Sequence, residues 1–245
     1  VWDPPGGAIE EGKIDVPWPM DAHEHERISA SGPRAGQSTI TRFLSGGTSS
    51  SRQEHRSMTE MYSKACVLFS RATSLANASS ENMNTSARQQ LLAARNHVDG
   101  LIDNFAGQLP PAPSSIGASV SEVHMGMLIH TLTYASIIQL ANINPDARSS
   151  IKSIAAARGA IRLVPGPQAS IISPVFGILW EIIGRVIIDD IRRLRQSRVG
   201  RNQLKAAEET IGRLGGTMEG FTRSTFIHYQ MGKLREALGM DTLHA

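Results

Sequence analysis

The chain has 245 residues, with 25 Lys and Arg against 22 Asp and Glu and a formal net charge of +3. This length predicts one domain or one domain with a tail, and the 40% of hydrophobic residues is enough for a core. The near-neutral charge excludes a surface built wholly for nucleic acid or an anionic membrane. The single cysteine, Cys66, excludes an internal disulfide framework and a cysteine-rich zinc module within these residues.

Residues 1–55 form a segment of a different composition, because 19 of them are Gly, Pro or Ser. No apolar period there is long enough to build an element, so the entropy of ordering the backbone would go uncompensated. We predict a flexible arm that is ordered only where Trp2, Trp18 or Phe43 docks. We also expect residues 1–50 to be dispensable for stability.

Residues 56–240 are predicted to form a helical domain, because apolar residues recur there at three- and four-residue spacing. Asn84 is predicted to cap the second helix, and Asn144-Pro145 to begin the fourth. No hairpin pattern or internal repeat is present, and the predicted fold is an all-α multi-helix bundle. The helices are expected at about 54–76, 84–105, 119–142, 144–164, 173–196 and 201–238, the last broken at Gly215-Gly216.

The third and fifth of these helices are apolar on most sides, which is typical of central helices in a bundle. Val175, Ile178, Ile183 and Ile187 are among the apolar residues of the fifth. Its charged residues, including Glu181, leave no uncharged run of the roughly 20 residues that a membrane span needs. No membrane partner is therefore expected.

Two groups of acidic and histidine residues raise the question of a metal site. Asp21–Glu26 contains ligand types that suit zinc, but a solvated polar segment is the favoured interpretation. Asp189-Asp190 lacks the third carboxylate of a magnesium motif, and we expect it to pair with neighbouring arginines. Phosphate-binding loops and nucleophile motifs are absent from the sequence, so neither an enzyme nor a cofactor is predicted.

A run of arginines at the end of the fifth helix is a candidate basic surface. A cation-rich last turn complements the helix dipole, and that structural role is the favoured interpretation over nucleic-acid binding. The run consists of Arg192, Arg193, Arg195, Arg198 and Arg201.

Short segments spread over residues 16–195 resemble, in the right order, a known helical domain. It is the fungal-specific transcription-factor domain that follows the binuclear zinc-cluster module, in its basidiomycete form. The segments are VPWP at 16–19, ACVLFSR at 65–71, LIDNF and LPP at 101–111, HTLTYASIIQL at 130–140, AAARGAI at 155–161 and SPVFGILW at 173–180.

The resemblance implies a non-catalytic regulatory domain of a nuclear factor that controls transcription by RNA polymerase II. It implies the transcription machinery and a small-molecule effector as partners, allows a homodimer, and assigns zinc and DNA binding to a missing N-terminal module. Bundles commonly hold ligands between helices. The residues chosen for such a pocket, with core filling as the alternative interpretation, are Met127, His130, Tyr134, Trp180 and Met218. The alternative function is a helical small-molecule-binding protein or enzyme unrelated to transcription.

Overall fold

The all-α prediction is confirmed by a computed structural model. It describes residues 18–19, 39–46, 57–80, 83–111, 119–164, 173–197, 200–221 and 224–239, and within those ranges it contains eight α-helices and no strand. The helices are α1 (Ile40–Leu44), α2 (Met58–Ala78), α3 (Thr85–Ala106), α4 (Val120–Ala141), α5 (Ala147–Arg162), α6 (Val175–Gln196), α7 (Arg201–Gly220) and α8 (Thr225–Leu238).

The chain divides into two compact units, residues 1–129 and 130–245. The division falls within α4, whose first half belongs to the first unit and whose second half belongs to the second. Ser119 and Glu122 form a reciprocal capping box at the start of α4. The Ser119 amide donates to Glu122 Oε2 at 2.8 Å and the Glu122 amide donates to Ser119 Oγ at 3.2 Å.

The first unit is built around the pairing of α2 with α3. Ser57 caps α2 by accepting from the Thr59 amide, and Asn84 caps α3 by accepting from the Ala87 amide at 2.8 Å, as predicted. Apolar residues at helical spacing supply the core of both helices. They include Ala65, Leu68, Ala72 and Leu75 of α2 and Leu91, Val98, Ile102 and Phe105 of α3.

The predicted arm contains an ordered part, which corrects the prediction that no element forms before residue 55. Thr39 caps the short helix α1, and His97 Nε2 of α3 lies 2.6 Å from the Leu44 carbonyl at its end. Trp18 is only 5% exposed and belongs to the core. The docking role predicted for Trp18 and Phe43 is thus observed, whereas Trp2 lies outside the described residues.

The second unit packs α5, α7 and α8 around α6. Helix α6 is buried along most of its length, because its apolar residues cover more than half of its circumference. Its core residues are Phe176, Leu179, Trp180, Ile183, Ile187, Ile188, Ile191 and Leu194. The central position predicted for this helix is therefore correct.

Two predicted helix boundaries of the second unit are wrong in detail. Helix α5 is capped by Asp146, whose carboxylate accepts from the Ser149 amide at 2.6 Å, and not by Asn144. The break expected at Gly215-Gly216 is absent, because α7 runs unbroken to Gly220. Both glycines have open space at the Cβ position and ordinary helical dihedrals, so nothing requires the chain to turn there.

Within the described ranges, every helix is too short or too polar to span a bilayer.

Candidate functional site

Three of the five predicted pocket residues lie on α4 and are half-buried. Met127 belongs to the first unit, and His130 and Tyr134 belong to the second. The Tyr134 ring packs directly on α5, because a Cβ atom at Gly159 would lie 2.8 Å from its Cζ atom. Gly159 is therefore the residue that leaves room for this ring.

The other two predicted pocket residues, Trp180 and Met218, are fully buried. The Trp180 ring lies 5.3 Å from that of Phe176 and 6.0 Å from that of Phe221, measured between centroids, and both pairs are tilted. Such aromatic contacts stabilise a core beyond the burial of their area. The pocket assignment for the five residues stays a prediction.

The predicted basic run contains arginines that are already paired with acids. Arg192 contacts Asp189 at 3.0 Å on its own helix, and Arg195 contacts Glu208 of α7 at 2.8 Å. Arg201 is exposed at the start of α7, and the side chain of Arg198 lies outside the described residues. The ion pairs reduce the positive potential that the sequence run suggests, because each one sets an acid beside a cation.

Asp190 is the most buried charged group of this region, with 1% of its side chain exposed. It accepts from Arg193 of its own helix at 2.6 Å and from Arg158 of α5 at 3.2 Å. Both guanidinium groups reach water, so the pair of cations holds the carboxylate at the edge of the core. The arginine pairing predicted for Asp189-Asp190 is confirmed, and through Arg158 it also links α5 to α6.

A second charged cluster connects the N-terminal segment to α2. Lys64 is buried, bonds to Glu60, and places its Nζ 5.4 Å from the Trp18 ring and 5.5 Å from the Phe43 ring. The two rings meet edge to face at 5.4 Å. A cation over two aromatic faces is attractive, and more so when water is excluded. Lys64 is therefore the residue of α2 that holds the docked segment.

Cys66 and Tyr62 share a hydrogen bond one helical turn apart on α2. Burial raises the pKa of the Cys66 thiol, and the bond from Tyr62 partly offsets that rise. The same bond, together with burial, raises the pKa of Tyr62. A raised thiol pKa leaves little thiolate at neutral pH, which favours a packing role for Cys66.

Sequence reasoning missed an exposed apolar face on the second unit. The periodicity of α6 placed Val175 and Ile178 among the residues of a central helix, but both are exposed. Phe226 and Tyr229 of α8 are exposed as well. The signal available in the sequence was an excess of apolar positions, since α6 and α8 carry more of them than one buried stripe requires.

Among the described residues, no group of three or more His, Cys, Asp or Glu side chains could hold a metal ion. The Asp21–Glu26 segment lies outside them.

Comparison of the chain with models of protein families, with curated proteins and with solved structures finds no match in any of the three.

Proposed function

We propose that this chain is a non-catalytic regulatory domain of a nuclear transcription factor. The observation that carries the proposal is the correspondence between the resembling segments and the helices. The segments at 65–71, 101–105, 130–140, 155–161 and 173–180 fall in order on α2, on the end of α3, on α4, on α5 and at the start of α6. This agreement supports the resemblance, because it accounts for the segments as parts of helices that carry buried residues.

The mechanism that follows is regulation through protein contacts. The buried residues of α6 hold the second unit together, and the exposed apolar face at its N-terminal end remains available to a partner. Apolar patches on a soluble surface commonly mark interaction sites. Zinc and sequence-specific DNA contacts are assigned to a separate N-terminal module.

The proposal is tested by fusing the chain to an unrelated DNA-binding domain and measuring transcription of a reporter in yeast. We expect the fusion to change reporter output several-fold relative to the DNA-binding domain alone. Ile183→Asp in the same fusion is the control, because an unpaired carboxylate in the core of α6 should unfold the domain and abolish the effect. A folded, expressed fusion with unchanged reporter output would contradict the proposal.

We also propose that the chain alone does not read DNA sequence. Arg192, Arg193 and Arg195 already contact acids, so binding to phosphates would have to disrupt those pairs. Any residual binding should weaken by about 0.9 log unit per phosphate contact for each tenfold rise in salt. Fluorescence anisotropy with a duplex and its scrambled version measures this. A preference for one duplex that persists at physiological salt would contradict it.

The alternative function, small-molecule binding unrelated to transcription, predicts saturable ligand-dependent stabilisation of the fold. It also predicts no effect of the tethered chain on the reporter. His130 and Tyr134 are the residues to substitute for that test, because they are half-buried rather than sealed in the core.

A further inference from the structure

We propose that α6 and α8 form a docking groove for an acidic amphipathic helix of a partner protein. The inference deepens the proposed regulatory function by naming the chemistry of the partner, and to that extent it rests on that function. The groove is defined by the exposed residues Val175, Ile178, Phe226 and Tyr229 at one end and by the cations Arg185, Arg192 and Lys233 further along.

The two helices run parallel and in register. A Cβ atom at Gly177 would lie 3.3 Å from Ile227 Cγ1, and one at Gly184 would lie 2.8 Å from Leu234 Cδ2. The glycines are seven residues apart on α6, and their partners are seven residues apart on α8. Equal spacing in the same chain direction identifies a parallel pair, and the missing side chains let the helices approach closely.

Ile178 and Phe226 lie on the same side of the seam between these helices. Arg192 donates to the Ala237 carbonyl, which marks one side of the seam. On α6, Ile178 precedes Arg192 by about four helical turns, so these two residues lie on the same side of the helix. On α8, Phe226 precedes Ala237 by about three turns, so these two also lie on the same side of their helix. The apolar ends of both flanks therefore meet on one surface.

This surface is continuous as well as exposed. A Cβ atom at Gly177 would lie 3.3 Å from Phe226 Cδ1, so the Phe226 ring lies against the α6 backbone next to Ile178. Val175 and Tyr229 lie one turn from Ile178 and Phe226, respectively, on the outer edges of the same surface. The four side chains are between 38% and 61% exposed.

The charges along the groove favour an acidic partner. Lys233 places its Nζ 4.9 Å from the centroid of the Tyr229 ring, beside the apolar end. Arg185 pairs with Glu181, a mostly buried carboxylate, so the cation is the outer member of that pair. On α6, Arg192 lies on the side of Asp189 that is closer to α8. Arg185 and Arg192 are thus already paired with acids, and Lys233, beside the apolar end, is the cation that favours an acidic docking segment.

The size of the surface favours a single helix over a second copy of this chain. The four exposed side chains form a small patch, on the scale of the few hundred Å² that is common for a functional patch. Two copies that paired through this patch alone would bury much less than the about 1,200–2,000 Å² of a stable interface. An amphipathic helix needs only an apolar strip for its i, i+3, i+4 and i+7 residues, and acids on its edges would face the cations.

The experiment uses the full chain and a fluorescent synthetic peptide with Leu at i, i+3, i+4 and i+7 and Glu at the remaining positions. Binding is measured by fluorescence anisotropy, and a second peptide carries Lys in place of Glu. We expect saturable binding of the Glu peptide, weaker at high salt, and little binding of the Lys peptide.

Matched variants locate the site. Ile178→Ser should raise the Kd of the Glu peptide about tenfold, whereas Ile151→Ser, the same change at an exposed isoleucine of α5, should leave it unchanged. Lys233→Glu should weaken binding of the Glu peptide and strengthen binding of the Lys peptide, and Lys205→Glu, at an exposed position of α7, is its control. Thermal melts followed by circular dichroism establish that each variant is folded.

Three results would overturn the groove proposal. They are equal binding of the two peptides, equal effects of Ile178→Ser and Ile151→Ser, and a self-associated chain that Ile178→Ser converts to monomer, which would assign the face to a second copy. The reporter assay separates the two proposals. Peptide binding without a reporter effect would retain the groove and reject the regulatory function. A reporter effect with no binding of the Glu peptide would retain the regulatory function and reject the groove.

Discussion

Replacing Gly184 by alanine adds one methyl group at a point of close approach between α6 and α8. The new Cβ would lie 2.8 and 2.9 Å from the two terminal carbons of Leu234 and 3.3 Å from Leu214 Cδ2. Both terminal carbons of the Leu234 side chain are in the way, so this side chain must move to accept the methyl group. Leu234 is also buried, so the surrounding core must shift.

The magnitude follows from two opposing effects. Alanine is favoured over glycine in a helix interior by about 1 kcal/mol. Overpacking a well-packed core costs about 1–3 kcal/mol. We therefore expect Gly184→Ala to lower the free energy of unfolding by about 1 kcal/mol, the balance of these contributions.

Gly212→Ala is the matched control, because Gly212 lies in the interior of α7 with open space at its Cβ position. It should raise the free energy of unfolding by about 1 kcal/mol, so the two variants should differ by about 2 kcal/mol. Urea unfolding followed by circular dichroism measures both. In a Leu234→Ala background the clash is removed, and Gly184→Ala should then become stabilising, which gives a double-mutant coupling of about 2 kcal/mol. Equal stabilisation by the two alanines would refute the close approach of α8 to α6.

Four further predictions concern other buried or capped groups. Trp18→Ala should lower the free energy of unfolding by about 3–5 kcal/mol, measured by urea titration, because the buried ring packs on Phe43 and Lys64. An unchanged midpoint would support the prediction that this segment is dispensable. Asp190→Ala should cost about 2 kcal/mol in the same assay by removing the acceptor of two guanidinium groups, and a neutral result would mean that water replaces it fully. Gln230→Met should raise the thermal midpoint, with a gain of about 1 kcal/mol, because no described residue donates to the buried Gln230 Oε1; destabilisation would indicate a donor. The Ser119 amide lowers the pKa of the Glu122 carboxyl group. This cap therefore stabilises the fold at a pH above the ordinary carboxyl pKa, and the stabilisation is lost as the pH falls through the pKa of Glu122 in the folded state. Glu122→Gln should remove that part of the acid sensitivity, and identical pH profiles of stability for the two proteins would contradict it.

The helices of this fold could be predicted because their signals are local. Asn84 satisfies the amide of Ala87 three residues later, and the periodic core of α3 follows directly. The boundary at Asn144 was misplaced because Asp146, two residues on, competes for the same role and bonds to Ser149. Gly215-Gly216 suggested a break, but a pair of glycines weakens a helix without ending it when packing holds both sides.

The arrangement of the helices could not be predicted in the same way. Whether Ile178 is core or surface depends on where α8 lies, and that is decided by contacts 50 residues away along the chain. The burial of Trp18 has the same origin, because its partner Lys64 belongs to a later helix. The arginine run looked unpaired in the sequence because the acidic partner of Arg195 is Glu208, which lies on the next helix. The periodicity of apolar residues within one helix does not predict such contacts between different parts of the chain.

The parallel pairing of α6 with α8 has a consequence for how the chain is made. Ribosomes deliver Leu234 only after α7 has been completed, so α6 is exposed to solvent on the Gly177 and Gly184 side during that part of synthesis. An apolar helix exposed in this way is open to chaperones and to aggregation until its last neighbour arrives. A premature stop codon within α8 would leave that state permanent. Translation that pauses before residue 234 is therefore expected to reduce the yield of folded chain more than an equal pause before residue 175.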